Sequence, residues 1–169
     1  PDVVLLCNNI CDTLYKWYEN IAYTLHIPCM VVDVPFNHDS VVTEENVNYV
    51  AEQFKEIIRQ LETLTGKKFD YDKFEEVMKV AAQNAADWYE ATSLCSAVPS
   101  PLSGFDMFNY MALIVFMRGK PECGQTFRKL NAELKQMIAE GRCGMKGVEE
   151  KHRIMWDGIA CWPYLSHTY

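Results

Sequence analysis

Apolar positions along the chain follow two periodicities, and the switches between them mark the elements. Residues 3–6, "VVLL", form a short β-branched and leucine run of the kind that fills a buried strand. Asn8 or Asn9 follows as an N-cap. Ile10, Leu14, Trp17, Tyr18, Ile21 and Leu25 then repeat at helical spacing, which predicts a helix to about His26. Pro28 interrupts it, residues 29–32 ("CMVV") predict a second buried strand, and Pro35 ends that strand. Strand, helix and strand in about 35 residues make a βαβ unit with parallel strands and a right-handed crossover.

The pattern beyond is helical. Thr43 is an N-cap with Glu44 and Glu45 in the first turn, and Val47, Val50, Phe54, Ile57, Ile58, Leu61 and Leu64 share one face up to a stop at Gly66. Asp70 or Asp72 opens another helix, with Phe74, Val77, Met78, Ala81, Ala85 and Trp88 facing inward. Pro99 and Pro101 break the helical pattern. "FDMFNYMALIVFM", residues 105–117, is apolar almost all round and predicts a buried helix. Residues 118–120 turn the chain and Pro121 suits a first helical turn. Phe127, Leu130, Leu134, Met137 and Ile138 mark a last amphipathic helix that ends near Gly141. After the loop "RCGMKG" the chain is extended, with a strand expected at residues 154–156. The fold class is α/β, a βαβ part of a parallel lobe followed by a mainly helical portion.

Composition narrows the function. At 169 residues and 49% hydrophobic, the chain has enough apolar surface for a sizeable core. A net charge of −7 argues against a nucleic-acid or anionic-membrane surface, which needs clustered Lys and Arg. No run approaches the roughly 18–20 apolar residues of a membrane span, and no signal peptide is visible. Seven cysteines, Cys7, Cys11, Cys29, Cys95, Cys123, Cys143 and Cys161, are scattered and odd in number, which reads as a reducing cytoplasm rather than a disulfide scaffold. The absence of a C-x-x-C pair disfavours a zinc ribbon. The chain begins at Pro1 without a Met and stops soon after "GIACWPYL", so it reads as a piece cut from a longer protein.

Ligands of an open parallel sheet bind outside the carboxyl ends of its strands. Two loops meet that description here, "CNNIC" after the first strand and "DVPFNHD" after the second. Cys7 sits at the end of the first strand and Cys11 in the first turn of the helix. There the partial positive charge and free N–H groups of the helix favour a thiolate that serves as nucleophile, redox sensor or metal ligand. The plainer alternative, small buried filler, is commoner for a cysteine at such a junction. It is the default for Cys29, Cys95, Cys123 and Cys143, which have no partner at ligand spacing. Asp33 is either a strand-end acid or a loop-capping residue before a proline turn. His26 is a helix-end residue, and His38, His152 and His167 have no triad-like context. The Met and aromatic content of residues 105–117 is core rather than a cofactor box.

"NNICDTLYKWYENIAYTLHIPCMVVDVPF" resembles a segment of the 2-hydroxyacyl-CoA dehydratases, relatives of the benzoyl-CoA reductases. The shared pattern is an asparagine pair, a cysteine, Lys-Trp-Tyr-Glu on the helix, Ile-Pro, and a strand ending Asp-x-Pro-Phe. "LTGKKFDYDKF", "PSPLSGFDMFN" and "KHRIMWDGIACWP" extend the likeness over nearly the whole chain in the same order. The resemblance implies a cytoplasmic heterodimer of two homologous subunits, each with two α/β lobes and a helical portion, carrying a 4Fe–4S cluster held by three cysteines. It also implies a separate ATP-dependent iron–sulfur activator that injects one electron. The thioester carbonyl of an (R)-2-hydroxyacyl-CoA becomes a ketyl radical anion, water leaves to give the enoyl-CoA, and the electron is recycled.

By that match Cys11 is the cluster ligand of this segment and Cys7 is not. Asn8, Asn9 and Asp33 are the polar groups nearest the acyl-CoA substrate. Residues 1–42 are then the end of the first lobe with the ligand loop, 43–146 the helical portion, and 147–169 the junction into the second lobe. The other two ligands of the family lie outside this chain, so by itself it is expected to hold no cluster and to be inactive. The alternatives are a benzoyl-CoA reductase-type or double-cluster reductase subunit and, from another class, a non-enzymatic helical interaction module.

Overall fold

The computed structural model describes residues 1–9, 11–38, 41–145, 147–156 and 161–164. Ile10, Asp39, His167 and part of the expected junction lie outside the described residues. The elements are β1 (Val4–Cys7), α1 (Asp12–Leu25), β2 (Cys29–Val32), α2 (Glu44–Thr65), α3 (Tyr71–Leu94), α4 (Gly104–Phe116), α5 (Pro121–Ala139) and a single 3₁₀ turn, Trp162–Tyr164. The chain divides into two compact units, Pro1–Phe69 and Asp70–Tyr169.

In the first unit β1 and β2 pair in parallel, Val4 opposite Cys29 and Cys7 opposite Val32, with α1 as the connection. The ladder continues past both strand ends through Val4 N–H to Pro28 C=O (3.0 Å) and Asn8 N–H to Val32 C=O (3.2 Å). Met30 and Val32, two apart and so on one face of the pleat, meet Ile57 of α2 in a core edged by Val3, Cys7, Val34, Val50 and Leu61. The β1 strand lies one residue later than expected, and Cys7 is its last residue.

Local chemistry explains the helix ends. Thr43 caps α2 by accepting from Asn46 N–H at 3.2 Å, and Gly66 ends it at φ 68°, where a Cβ is strained. Asp70, rather than Asp72, caps α3 by accepting from Lys73 N–H at 2.8 Å. His26 ends α1 in the left-handed region at φ 52°. The exception is the start of α1. Neither asparagine caps it: Cys11 is the N-cap, in extended backbone, with no side-chain capping bond.

The second unit is held by α3 against α5, with α4 beside α3. Ala91, Ile114, Cys123, Phe127, Leu130 and Leu134 form its core, and Trp88 tilts against Phe127 with ring centroids 5.2 Å apart. The face expected for α3 holds at Trp88, which packs on the core, and needs correction elsewhere. Its buried residues are Asn84, Asp87 and Ala91, whereas Phe74 and Met78 are half exposed. Each buried polar side chain has a partner that offsets part of its desolvation, although the Asn131 Oδ1 is left without one among the described residues. Asn84 donates from Nδ2 to the carbonyls of Arg118 (2.7 Å) and Lys120 (2.8 Å), fixing the turn before α5. Asp87 takes Arg128 at 2.5 Å and Gln83 at 3.0 Å, and Asn131 donates to Asp87 C=O (2.9 Å) and to Glu90 (3.0 Å). Gly124 makes this crossing possible. A Cβ there runs into Asn84 Oδ1 and stands 2.8 Å from an Arg128 nitrogen and 3.0 Å from Asp87 Oδ2.

Two further expectations change. In α4 only Ile114 is fully buried, while Val115 and Phe116 are 60% and 83% exposed, so the helix is one-sided within this unit rather than enclosed. Residues 154–156 form no strand, because no neighbouring strand among the described residues takes their backbone groups. The nearby chain is held instead by Glu150, which accepts from Ser100 N–H at 2.5 Å, and by Arg153, which donates to the carbonyls of Cys95, Ser96 and Ala97 at the end of α3.

The close crossing gives a stability prediction. Gly124→Ala forces α3 and α5 apart or displaces Asn84, and costs about 1–3 kcal/mol. The cost is read as a lower urea midpoint at unchanged slope. An unaltered midpoint contradicts the close approach.

Candidate functional site

The carboxyl edge of the sheet is where β1 hands over to residues 8–11 and β2 to residues 33–38. Parallel pairing brings these two exits to one side, and side chains then tie them together. Asn8 accepts from Val34 N–H through Oδ1 at 2.7 Å and donates from Nδ2 to one carboxylate oxygen of Asp33. The other Asp33 oxygen accepts from the Tyr49 hydroxyl at 2.6 Å. That hydrogen bond to a carboxylate, followed by desolvation, holds the Tyr49 hydroxyl above its ordinary pKa.

Gln53, one turn along α2 from Tyr49, takes both backbone groups of Asp33. Its Oε1 accepts from Asp33 N–H at 2.7 Å, and its Nε2 donates to Asp33 C=O at 2.8 Å and to Tyr49 C=O at 3.2 Å. Asp33 lies one residue beyond the last paired position of β2, so its backbone has no strand partner. The carboxamide of Gln53 stands in for one.

Cys11 opens α1 from this edge. Its backbone is extended, φ −104° and ψ 143°, and its carbonyl accepts the first helical bond, from Tyr15 N–H at 3.2 Å. Its side chain is exposed. A cleft lined by Asn8, Asp12, Tyr15, Lys16, Val31 and Asp33 lies against the start of the helix. A second, more apolar cleft borders Leu5, Cys7, Asn9, Val34, Val50 and Phe54.

The other thiols differ. Cys7 is half-buried and packs on the first unit's core. Cys29 is at the opposite end of β2, where desolvation and then the negative charge of Glu19 push its thiol up. Burial likewise pushes the Cys95 and Cys123 thiols up. Among the described residues, no three of His, Cys, Asp and Glu gather into a metal-binding group.

Asn8, Asn9, Asp33 and Cys11 therefore share one edge, with Asn8 and Asp33 bonded to each other. Tyr49 and Gln53 are the members that sequence reading missed. Their only signal is a polar i, i+4 pair flanking the apolar positions Val50 and Phe54 on α2.

Known proteins are similar to this chain over its whole length. The family described as 2-hydroxyglutaryl-CoA dehydratase, D-component, matches residues 1–169. The chain is 48% identical over 167 residues to the (R)-phenyllactyl-CoA dehydratase alpha subunit of Clostridium sporogenes, covering 99% of this chain and 41% of that protein. It is 47% identical over 169 residues to the alpha subunit of lactoyl-CoA dehydratase from Anaerotignum propionicum, covering 100% and 40%. A benzoyl-CoA reductase subunit of Thauera aromatica is a more distant relative, 28% identical over 171 residues, covering 96% and 39%. The chain thus spans about two fifths of the length of these curated relatives. With the whole chain matched, and with relatives near half identity, it belongs to the 2-hydroxyglutaryl-CoA dehydratase D-component family.

Proposed function

We propose that this chain is part of the alpha-type subunit of a 2-hydroxyacyl-CoA dehydratase, a cytoplasmic hydro-lyase that removes water from an (R)-2-hydroxyacyl-CoA to give an enoyl-CoA. The observation that carries the reading is the exposed Cys11 thiol at the start of α1, on the sheet edge where such folds bind ligands, in a chain of this family. The reductase alternative is weaker, because the benzoyl-CoA reductase relative is 28% identical where the dehydratases reach 48%. The interaction-module alternative leaves the exposed thiol and its tied loop without a purpose.

Cys11 fits one position of a 4Fe–4S cluster. An N-cap cysteine with no capping bond leaves its sulfur free to ligate. On this reading, as the family resemblance implies, the remaining ligands come from polypeptide outside this chain. When bound, the cluster supplies one-electron chemistry to the thioester.

The chain's own residues orient and shield. Asn8 and Asp33 hold the two loops together, and exposed Asn9 next in the chain is the amide that this reading assigns to the substrate's carbonyl oxygen. The partners of the reading are a second homologous dehydratase subunit, an ATP-dependent iron–sulfur activator and the acyl-CoA.

Two outcomes test it. In the full-length subunit loaded anaerobically with iron and sulfide, Cys11→Ser loses most of its iron while Cys7→Ser keeps it. Equal iron in wild type and Cys11→Ser removes Cys11 from the ligand set. The 169-residue chain, treated in the same way by itself, takes up no stoichiometric cluster. A broad absorption band near ~400 nm, typical of thiolate-ligated clusters, with matching iron, overturns that expectation and points to Cys7 or Cys29 as additional ligands.

A further inference from the structure

We infer that Tyr49 and Gln53 of α2 are positioning residues for the Cys11 thiol, acting through Asp33 and Asn8; this rests on the reading of Cys11 as a ligand. The contacts run unbroken from α2 to Asn8, and the backbone carries the hold from there to Cys11. Gln53 completes the Asp33 backbone from both sides at 2.7 and 2.8 Å, and Tyr49 holds the Asp33 carboxylate at 2.6 Å. Asp33 and the neighbouring Val34 N–H between them occupy both ends of the Asn8 carboxamide. Asn8 also continues the ladder through its own N–H to Val32 C=O.

Asn8 is three residues before Cys11 in the chain. A side chain so close along the chain to a pinned residue has fewer conformations open to it, and each bond that holds Asn8 removes some of them. The cap of α1 does not do this, because Cys11 has no side-chain capping bond. The hold on the loop therefore comes from α2, a helix remote in sequence. Groups that orient a metal ligand from behind matter because ligand direction and mobility affect retention and tuning of the metal.

The arrangement also explains an oddity of α2. Exposed Tyr49 and half-buried Gln53 sit beside Val50 at the rim of the α2 surface that packs on β2, where apolar residues bury more area. A bulkier apolar core makes a firmer helix–strand contact but leaves the N–H and C=O of Asp33 without partners. The carboxamide of Gln53 is the right shape to take one donor and one acceptor from the same residue.

Nitroxide labelling in metal-free protein tests the inference. One sample of the full-length subunit carries the label on Cys11 in a background where Cys7, Cys29, Cys95, Cys143, Cys161 and the accessible cysteines outside this chain are replaced by serine. The control carries it on Cys29, at the far end of β2, with Cys11→Ser in place of Cys29→Ser. Gln53→Leu is expected to shorten the correlation time of the Cys11 label about two- to threefold, into the range of a free loop. Tyr49→Phe, which keeps the ring and removes only the hydroxyl, produces a smaller change in the same direction. The Cys29 label and the thermal midpoint stay where they were in Tyr49→Phe.

An unchanged Cys11 label in both variants overturns the inference, and so does equal loosening of both labels, which marks general destabilisation. If Gln53→Leu does not fold, Tyr49→Phe decides alone. The label reads the loop without iron, so its outcome is independent of whether Cys11 ligates a cluster, which the iron content of Cys11→Ser decides.

Discussion

Parallel pairing of two four-residue strands is the constraint on which the site depends. Because β1 and β2 run the same way, Cys7 is level with Val32 and both chain exits leave from one edge. Antiparallel strands in the same register place one exit at each end and separate Asn8 from Asp33 by the length of the sheet. The parallel arrangement needs a crossover, which α1 supplies, and a crossover helix begins at the edge where the first strand ended. The thiol at the head of that helix is thus delivered to the carboxyl edge by topology before any side chain acts.

Short strands make weak sheets, and the first unit compensates from the side. Met30 and Val32 bury against Ile57, so β2 is anchored to α2 as well as to β1. The same helix then reaches over the end of β2 with a tyrosine and a glutamine. Apolar contact sets the distance between α2 and the strand, and at that distance a Gln53 side chain spans the gap to the Asp33 backbone. Packing and polar recognition are two consequences of one placement.

The second unit uses polar groups differently. Asn84, Asp87 and Asn131 are buried in a helix crossing tightened by Gly124. Close crossing shortens the reach between helices and allows a carboxamide on α3 to bond the carbonyls ahead of α5. Hydrogen bonds of this kind add little net free energy each, but leaving any one unmade in a buried place costs about 1–3 kcal/mol. They therefore specify which residues of α3 and α5 meet, more than they strengthen the meeting.

The sequence by itself determined the elements whose signals are local. Thr43, Gly66, Asp70 and Pro121 mark helix ends because capping involves residues within one turn of each other, and the runs at β1 and β2 are short, apolar and bounded. The cysteine pattern after the asparagine pair was equally legible, and family membership follows from it and the matching stretches. Tertiary structure alone decided the rest. The amide of Asn8 looked like a helix cap and instead bonds residues 25 and 26 positions away, since a nonlocal carboxylate and N–H outcompete the local groups. Periodicity sought an apolar face on α3 and found Phe74 and Met78, but the buried stripe carries Asn84 and Asp87, because burial follows partners as well as hydrophobicity. Residues 154–156 have strand-like composition without strand geometry, for a strand exists only where a neighbour accepts its hydrogen bonds.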